Sequence, residues 1–127
     1  MSTAVAAKVL VVDDDPLVLG VVKTILKRGG LEVLTASGGE QALRIVESQS
    51  DSIDLVLADV CMPNMDGFEL AKKIREIAPS TRVAFMSGIL GSKQIEQGVP
   101  FIRKPFEAGT LVARVRALLP RGVDPAD

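Results

Sequence analysis

Histidine, tryptophan and tyrosine occur nowhere in the 127 residues, and cysteine occurs once. The missing histidine excludes a Ser-His-Asp or Cys-His nucleophilic site, an HExxH zinc site and any phosphohistidine formed on this chain. The lone Cys61 excludes an internal disulfide and a CxxC redox or zinc pair. A free thiol outside a disulfide framework fits a reducing compartment, so the cytoplasm is the expected location. No apolar run approaches the roughly eighteen residues that a membrane span needs. The start of the chain lacks the charged region and apolar stretch of a signal peptide, so neither secretion nor membrane insertion is expected. An excess of positive charge is missing too. Lys and Arg total 15 against 16 Asp and Glu, a net charge of -1, which speaks against direct nucleic-acid binding. Any chemistry here rests on carboxylates, hydroxyls, lysine and an oxygen-bound metal.

What is present is the composition of one globular domain, 47% hydrophobic and 24% charged. Short apolar runs begin at Val9, Leu31, Leu55, Val83 and Phe101, and helix-period segments lie between them. Val18, Val22 and Ile25 share one helical face; Ala42, Leu43 and Val46 share another. Phe68, Ala71, Ile74 and Ile77 form a third, and Leu111, Val115 and Leu118 a fourth. Alternating strands and helices predict an α/β fold, a five-stranded parallel sheet with helices on both faces. The runs from Val9, Leu55 and Val83 are apolar throughout and belong at the centre, whereas Glu32 and Arg103 mark edges. Right-handed crossovers then give the order 2-1-3-4-5. Asp15-Pro16 predicts a helix start, and Asp66 with Glu69 a capping box. The stretch between Ser87 and Phe101 leaves room for only a short fourth helix, over Ser92 to Gln97. Residues 1–7 and 120–127 are expected to be flexible flanks of a domain spanning 8–119.

Ligands of such sheets bind beyond the carboxyl ends of the strands, near the point where strand order reverses. Asp13 and Asp14 follow strand one, Asp59 strand three, Ser87 strand four and Lys104 strand five. Taken singly each has a plain explanation: a solvated helix start, a turn, a strand exit, a surface lysine. Cys61 reads as a packing residue, since nothing basic adjoins it. Jointly the residues call for one chemistry. Two carboxylates ~4 Å apart repel by roughly 4 kcal/mol at an effective dielectric near 20. A hard divalent cation such as Mg²⁺ resolves that conflict and leaves positions for phosphate oxygens. Carboxylate, hydroxyl and ammonium around it suit an incoming phosphoryl group, with Asp59 as nucleophile and Lys104 as a second positive charge at the far side.

The segments VLVVDDDP, DLVLADVCMPNMDGFEL, VAFMSG and FIRKPF resemble the receiver domain of two-component response regulators. The resemblance covers about Lys8 to Leu119 and implies a flavodoxin-like fold. It implies Asp59 as phosphoacceptor, and Asp14 and Asp59 as direct Mg²⁺ ligands, with Asp13 acting through water and the Cys61 backbone carbonyl as a further ligand. Ser87 and Lys104 would hold phosphoryl oxygens, the Lys104–Pro105 bond would be cis, and Phe101 would turn as an aromatic switch coupled to Ser87. The donor would be a sensor histidine kinase or a histidine phosphotransfer protein. The output would pass to another protein, and the chain would catalyse only its own phosphorylation and autodephosphorylation. The resemblance leaves oligomeric state open, as it does the choice between a stand-alone regulator and a receiver within a hybrid kinase.

Three aspartates in a row raise a question of register. Asp13 and Asp14 form the pair because they directly follow the apolar strand, which leaves Asp15 as the cap. Ser87 stands where the family commonly has Thr and keeps the hydroxyl. Cys61 and Ile89, each two residues past a site residue, would tend to exclude hydrolytic water and predict a long-lived phosphoryl group. Rival readings remain. A Mg²⁺-dependent aspartyl phosphatase would need a second acid where Cys61 stands. A dinucleotide or flavin domain would need a Gly-rich loop where Asp13-Asp14-Asp15 would repel pyrophosphate. A phosphorylation-independent interaction module would share the fold.

Overall fold

The structure is a computed structural model that describes residues 6–88, 101–104 and 106–119. The expected helix over 92–97, Ile89, the Lys104–Pro105 bond, the Phe101 side chain and the segments 1–5 and 120–127 lie outside the described residues. Along the chain run β1 (Lys8–Val12), α1 (Pro16–Arg28), β2 (Glu32–Ala36), α2 (Gly39–Gln49) and β3 (Leu55–Asp59). They are followed by α3 (Gly67–Ile77), β4 (Arg82–Ser87), β5 (Phe101–Arg103) and α4 (Ala108–Leu118). The five strands form one parallel sheet in the order β2-β1-β3-β4-β5, as the composition of the runs predicts.

Alternation along the central strands divides the core in two. Val9, Val11, Leu55, Leu57 and Met86 face α1 and α4, where Val22, Leu26, Leu111 and Val115 close over them. Leu10, Val12, Val56 and Ala58 point the other way, against Ala42 and Val46 of α2 and Leu70 and Ile74 of α3. Burial on both faces explains why β1 and β3 read as unbroken apolar runs. At the edge, β2 is exposed at Glu32 and fully buried only at Ala36.

Helix starts follow the capping chemistry of the sequence. Asp15 Oδ1 accepts from Leu17 N at 2.9 Å, ahead of Pro16 at the first helical position. Asp66 Oδ1 accepts from Glu69 N at 2.8 Å, and Asp66 N donates to Glu69 Oε1 at 3.2 Å, completing the capping box. The buried face of α3 differs from the one the periodicity predicts. Leu70 is fully buried, whereas Ile77 is 44% exposed, because Gly67, Leu70, Ala71 and Ile74 form the buried face of the helix and Ile77 falls at its margin. Phe68 instead packs against Phe85 of β4, with ring centroids 4.9 Å apart.

The loop from β3 to α3 is tightly wound. Met65 N donates to Pro63 O at 2.7 Å and Asn64 sits at φ 71, a γ-turn in a region that residues other than glycine seldom enter. Val60 and Met62 turn inward, and Cys61 between them points out. The expectation of a packed Cys61 is therefore corrected: alternation in the loop puts its neighbours, not the thiol, into the interior.

Candidate functional site

The sheet register assembles the site. Val12 lies opposite Ala58, so Asp13 and Asp59 reach the end of the sheet at one level. Val60 N donates to Met86 O at 3.0 Å and Lys104 N to Ser87 O at 2.8 Å, which carries the ladder on to Ser87 and Lys104. Asp59 and Ser87 are thus the last residues of their strands and share the rigidity of the sheet. Asp13, Asp59 and Ser87 are the buried polar residues among those described, at 1%, 7% and 3% exposure. Asp14 and Asp15 are exposed. Asp15 is committed to the cap, and its own N–H donates to Asp13 Oδ1 at 2.9 Å, so the triple aspartate divides as the register argument expects.

Lys104 does not stand on the far side. Its Nζ donates to Asp13 Oδ2 at 2.9 Å and to Asp59 Oδ1 at 3.1 Å, bridging the two buried carboxylates. Proximity along the chain could not reveal this, because Lys104 is 91 positions from Asp13 and 45 from Asp59. The bridge answers the like-charge problem in the protein alone: one ammonium serves two carboxylates. Burial, then the Asp13 charge, raises the Asp59 carboxyl above its ordinary value, with Lys104 opposing. Burial pulls Lys104 down, but the Asp13 hydrogen bond and the charges of Asp59 and Asp13 outweigh it and raise the ammonium overall.

Asp13, Asp14 and Asp59 each offer an oxygen within 4.8 Å of the others. Hard anionic oxygens at that spacing, with Asp14 open to solvent, fit Mg²⁺, which takes one or two carboxylates and keeps several waters. A soft or strongly nitrogen-seeking metal finds no matching donors among them. Two close approaches around this cluster carry no obvious mark in the sequence. Gly67 lies directly against the backbone of Asp59, and Gly39 lies under the Met65 side chain. A glycine opening a helix is the one local signal for the first.

Comparisons with known proteins bear on the family. The chain is similar to the transcriptional regulatory protein CpxR of Escherichia coli (strain K12), 38% identical over 121 residues, covering 90% of this chain and 50% of that protein. It also matches part of the autoinducer 1 sensor kinase/phosphatase LuxN of Vibrio campbellii, 34% identical over 111 residues, 87% of this chain and 13% of that one. The chain spans about half the length of the first curated relatives it matches. Among solved structures, the receiver domain of the hybrid histidine kinase CckA shares 39% identity with a TM-score of 0.78, covering 90% of this chain and 100% of that one. Chemotaxis protein CheY4 of Vibrio cholerae shares 30% identity with a TM-score of 0.83, covering 91% and 100%. A family model described as the response regulator receiver domain matches residues 9–116. With the acidic pair, the strand-end aspartate and the bridging lysine all inside that span, the chain belongs to the response regulator receiver domain family.

Proposed function

We propose that the chain is a phosphoacceptor switch in which Asp59 takes a phosphoryl group from a phosphohistidine on a partner protein, a sensor histidine kinase or a histidine phosphotransfer protein. The observation that carries the reading is the buried Asp59 carboxylate at the end of the central strand, flanked by Asp13 and Asp14 and held by Lys104. An Asp59 oxygen forms the bond to phosphorus as the donor's N–P bond breaks, leaving the histidine nitrogen with the electron pair. Asp13, Asp14, Asp59 and the Cys61 carbonyl would hold Mg²⁺, which supplies charge neutralisation for the phosphoryl oxygens. Lys104 and the Ser87 hydroxyl take the remaining oxygens. Because Lys104 is already engaged with Asp13 and Asp59, gaining a phosphoryl partner redistributes its hydrogen bonds.

That redistribution is the local event of the switch, with Ser87 and Phe101 as its moving parts and another protein as the receiver of the signal. Carrying an active state from 1% to 99% occupancy takes about 5.5 kcal/mol of differential contact. Several charge-assisted hydrogen bonds reach that range. The domain occupies 8–119 and works in the cytoplasm, and its catalysis is limited to its own phosphorylation and dephosphorylation. Incubation with acetyl phosphate and Mg²⁺ followed by intact-mass measurement tests the reading. One added phosphoryl group, absent when Mg²⁺ is chelated, is the expected result. No mass gain, or turnover of a generic phosphate ester without a stable adduct, would overturn it.

Exposure of the thiol at the site mouth bears on lifetime. Cys61 lies two residues past Asp59 and is exposed, so a polar side chain there could orient an attacking water where the thiol does not. Cys61→Asn is expected to speed loss of the phosphoryl group several-fold, read as decay of the phosphorylated mass. Unchanged or slower decay would exclude water control at this position.

A further inference from the structure

Glycine is among the weakest helix formers, yet α3 opens on Gly67, and Gly67 is buried. The reason lies in what it touches. A Cβ at this position would stand 2.4 Å from the carbonyl oxygen of Asp59, 3.0 Å from the Val60 Cα and 3.1 Å from the Asp59 carbonyl carbon. The Gly67 N–H meanwhile donates to Val60 O at 2.9 Å. Every one of these atoms is backbone of the strand end that carries Asp59, so none can rotate aside. Gly39 offers the contrast. A Cβ there would meet Met65 Sδ at 2.5 Å, but that atom ends a flexible side chain that can swing away.

We infer that Gly67 is a positioning residue: its missing Cβ lets the start of α3 clamp the Asp59–Val60 backbone and so sets where the Asp59 carboxylate and the adjoining Cys61 carbonyl stand for a divalent cation. To restore even 3.0 Å the strand end would have to retreat by roughly 0.6 Å (3.0 minus 2.4). That exceeds the ~0.5 Å within which a preorganised site holds its geometry. Mg²⁺ is sensitive to such a shift, because it demands near-octahedral ligands at about 2.0–2.1 Å. Fold stability is a separate matter. The α3 capping box of Asp66 and Glu69 supports the helix without touching the Asp59 backbone, so the two roles separate by mutation.

The inference rests on the proposed Mg²⁺ reading, and calorimetric titration of the full chain with magnesium chloride separates the two. If the unaltered protein binds no Mg²⁺, the reading of the site fails. If it binds, Gly67→Ala is expected to lose at least about tenfold in affinity, the scale on which supporting residues act on metal sites, while far-UV circular dichroism still shows a folded protein. Gly39→Ala and the cap variant Glu69→Ala should stay within about twofold on that scale, although Glu69→Ala melts earlier. A merely structural Gly67 would lower the melting temperature and leave affinity alone. Affinity of Gly67→Ala within about twofold of the parent overturns the inference, as does an equal loss in Glu69→Ala. Should Gly67→Ala not fold in buffer, trimethylamine N-oxide drives folding without occupying the site, and the same comparison applies. A chain that stays unfolded even then also overturns it, because the contact would then serve the fold alone.

Discussion

Asp59→Asn is expected to reduce acetyl phosphate labelling to background and to leave the fold standing. The amide has no lone pair with the nucleophilicity of a carboxylate, so no acyl phosphate forms at this position. Its shape and its carbonyl oxygen are retained, and Lys104 can still donate to that oxygen while keeping Asp13. Stability should not fall. The folded-state carboxyl of Asp59 titrates above its usual value of 3.8 because burial and Asp13 disfavour its charge. An acid shifted upward weakens the folded state wherever it is ionised. The cost is present at neutral pH and disappears as pH falls through the raised value. Asparagine carries no such cost. The variant should therefore melt at or a few degrees above the parent at neutral pH without metal, and the gap should close as the solution is acidified toward the ordinary carboxylate range. Intact mass and calorimetry read the two effects independently. Persisting label would move the phosphoacceptor elsewhere, and a large loss of stability would make Asp59 a structural partner of Lys104 instead.

Most of the fold was legible because local and global signals agree. The run Val9 to Val12 is buried on both faces and ends on the acidic pair, and Asp15-Pro16 and Asp66 with Glu69 cap the helices where their chemistry says they should. Strand order followed from where charge is tolerated. What escaped the sequence was geometry between distant positions. Lys104 could be placed beyond the last strand but not between two carboxylates, since its reach across the sheet end is set by register rather than spacing. Cys61 read as a packing residue because nothing basic adjoins it in the sequence, yet its direction is decided by the winding of a loop with Asn64 at φ 71. Ile77 fitted the helical period and still lies at the margin of the buried face, as periodicity marks a face without fixing where its border falls. Gly67 resisted for a related reason: a close approach between backbones leaves no trace beyond the glycine itself.

The bridging lysine carries the second large effect. Lys104→Met is expected to lower stability at neutral pH by about 2–3 kcal/mol. Breaking a buried ion pair from one side costs roughly 3–5 kcal/mol, and partial exposure of the Lys104 side chain, 21%, places this case at or below the lower end. The two carboxylates it leaves, with side chains only 2% and 10% exposed, then face one another without a counter-charge. The sign of the pH dependence follows from the lysine's raised folded value. Its contribution is fully present below the ordinary lysine value of 10.5 and is lost as pH climbs through the raised one. The parent therefore has an alkaline loss of stability that the variant lacks, and at neutral pH the whole difference shows. Two treatments should repair the variant. Acid protonates Asp59 and removes one of the opposing charges. Mg²⁺ replaces the missing positive charge, and at a hundred times its dissociation constant a bound ligand contributes about 2.7 kcal/mol, close to the expected loss. In the parent the same metal must compete with the ammonium for Asp13 and Asp59, so it should raise the melting temperature by less. Because the chain has no Trp or Tyr, calorimetry or far-UV circular dichroism is the suitable readout. A variant as stable as the parent at neutral pH, or an equal response of both proteins to Mg²⁺, would mean that Lys104 is not the counter-ion of this carboxylate pair.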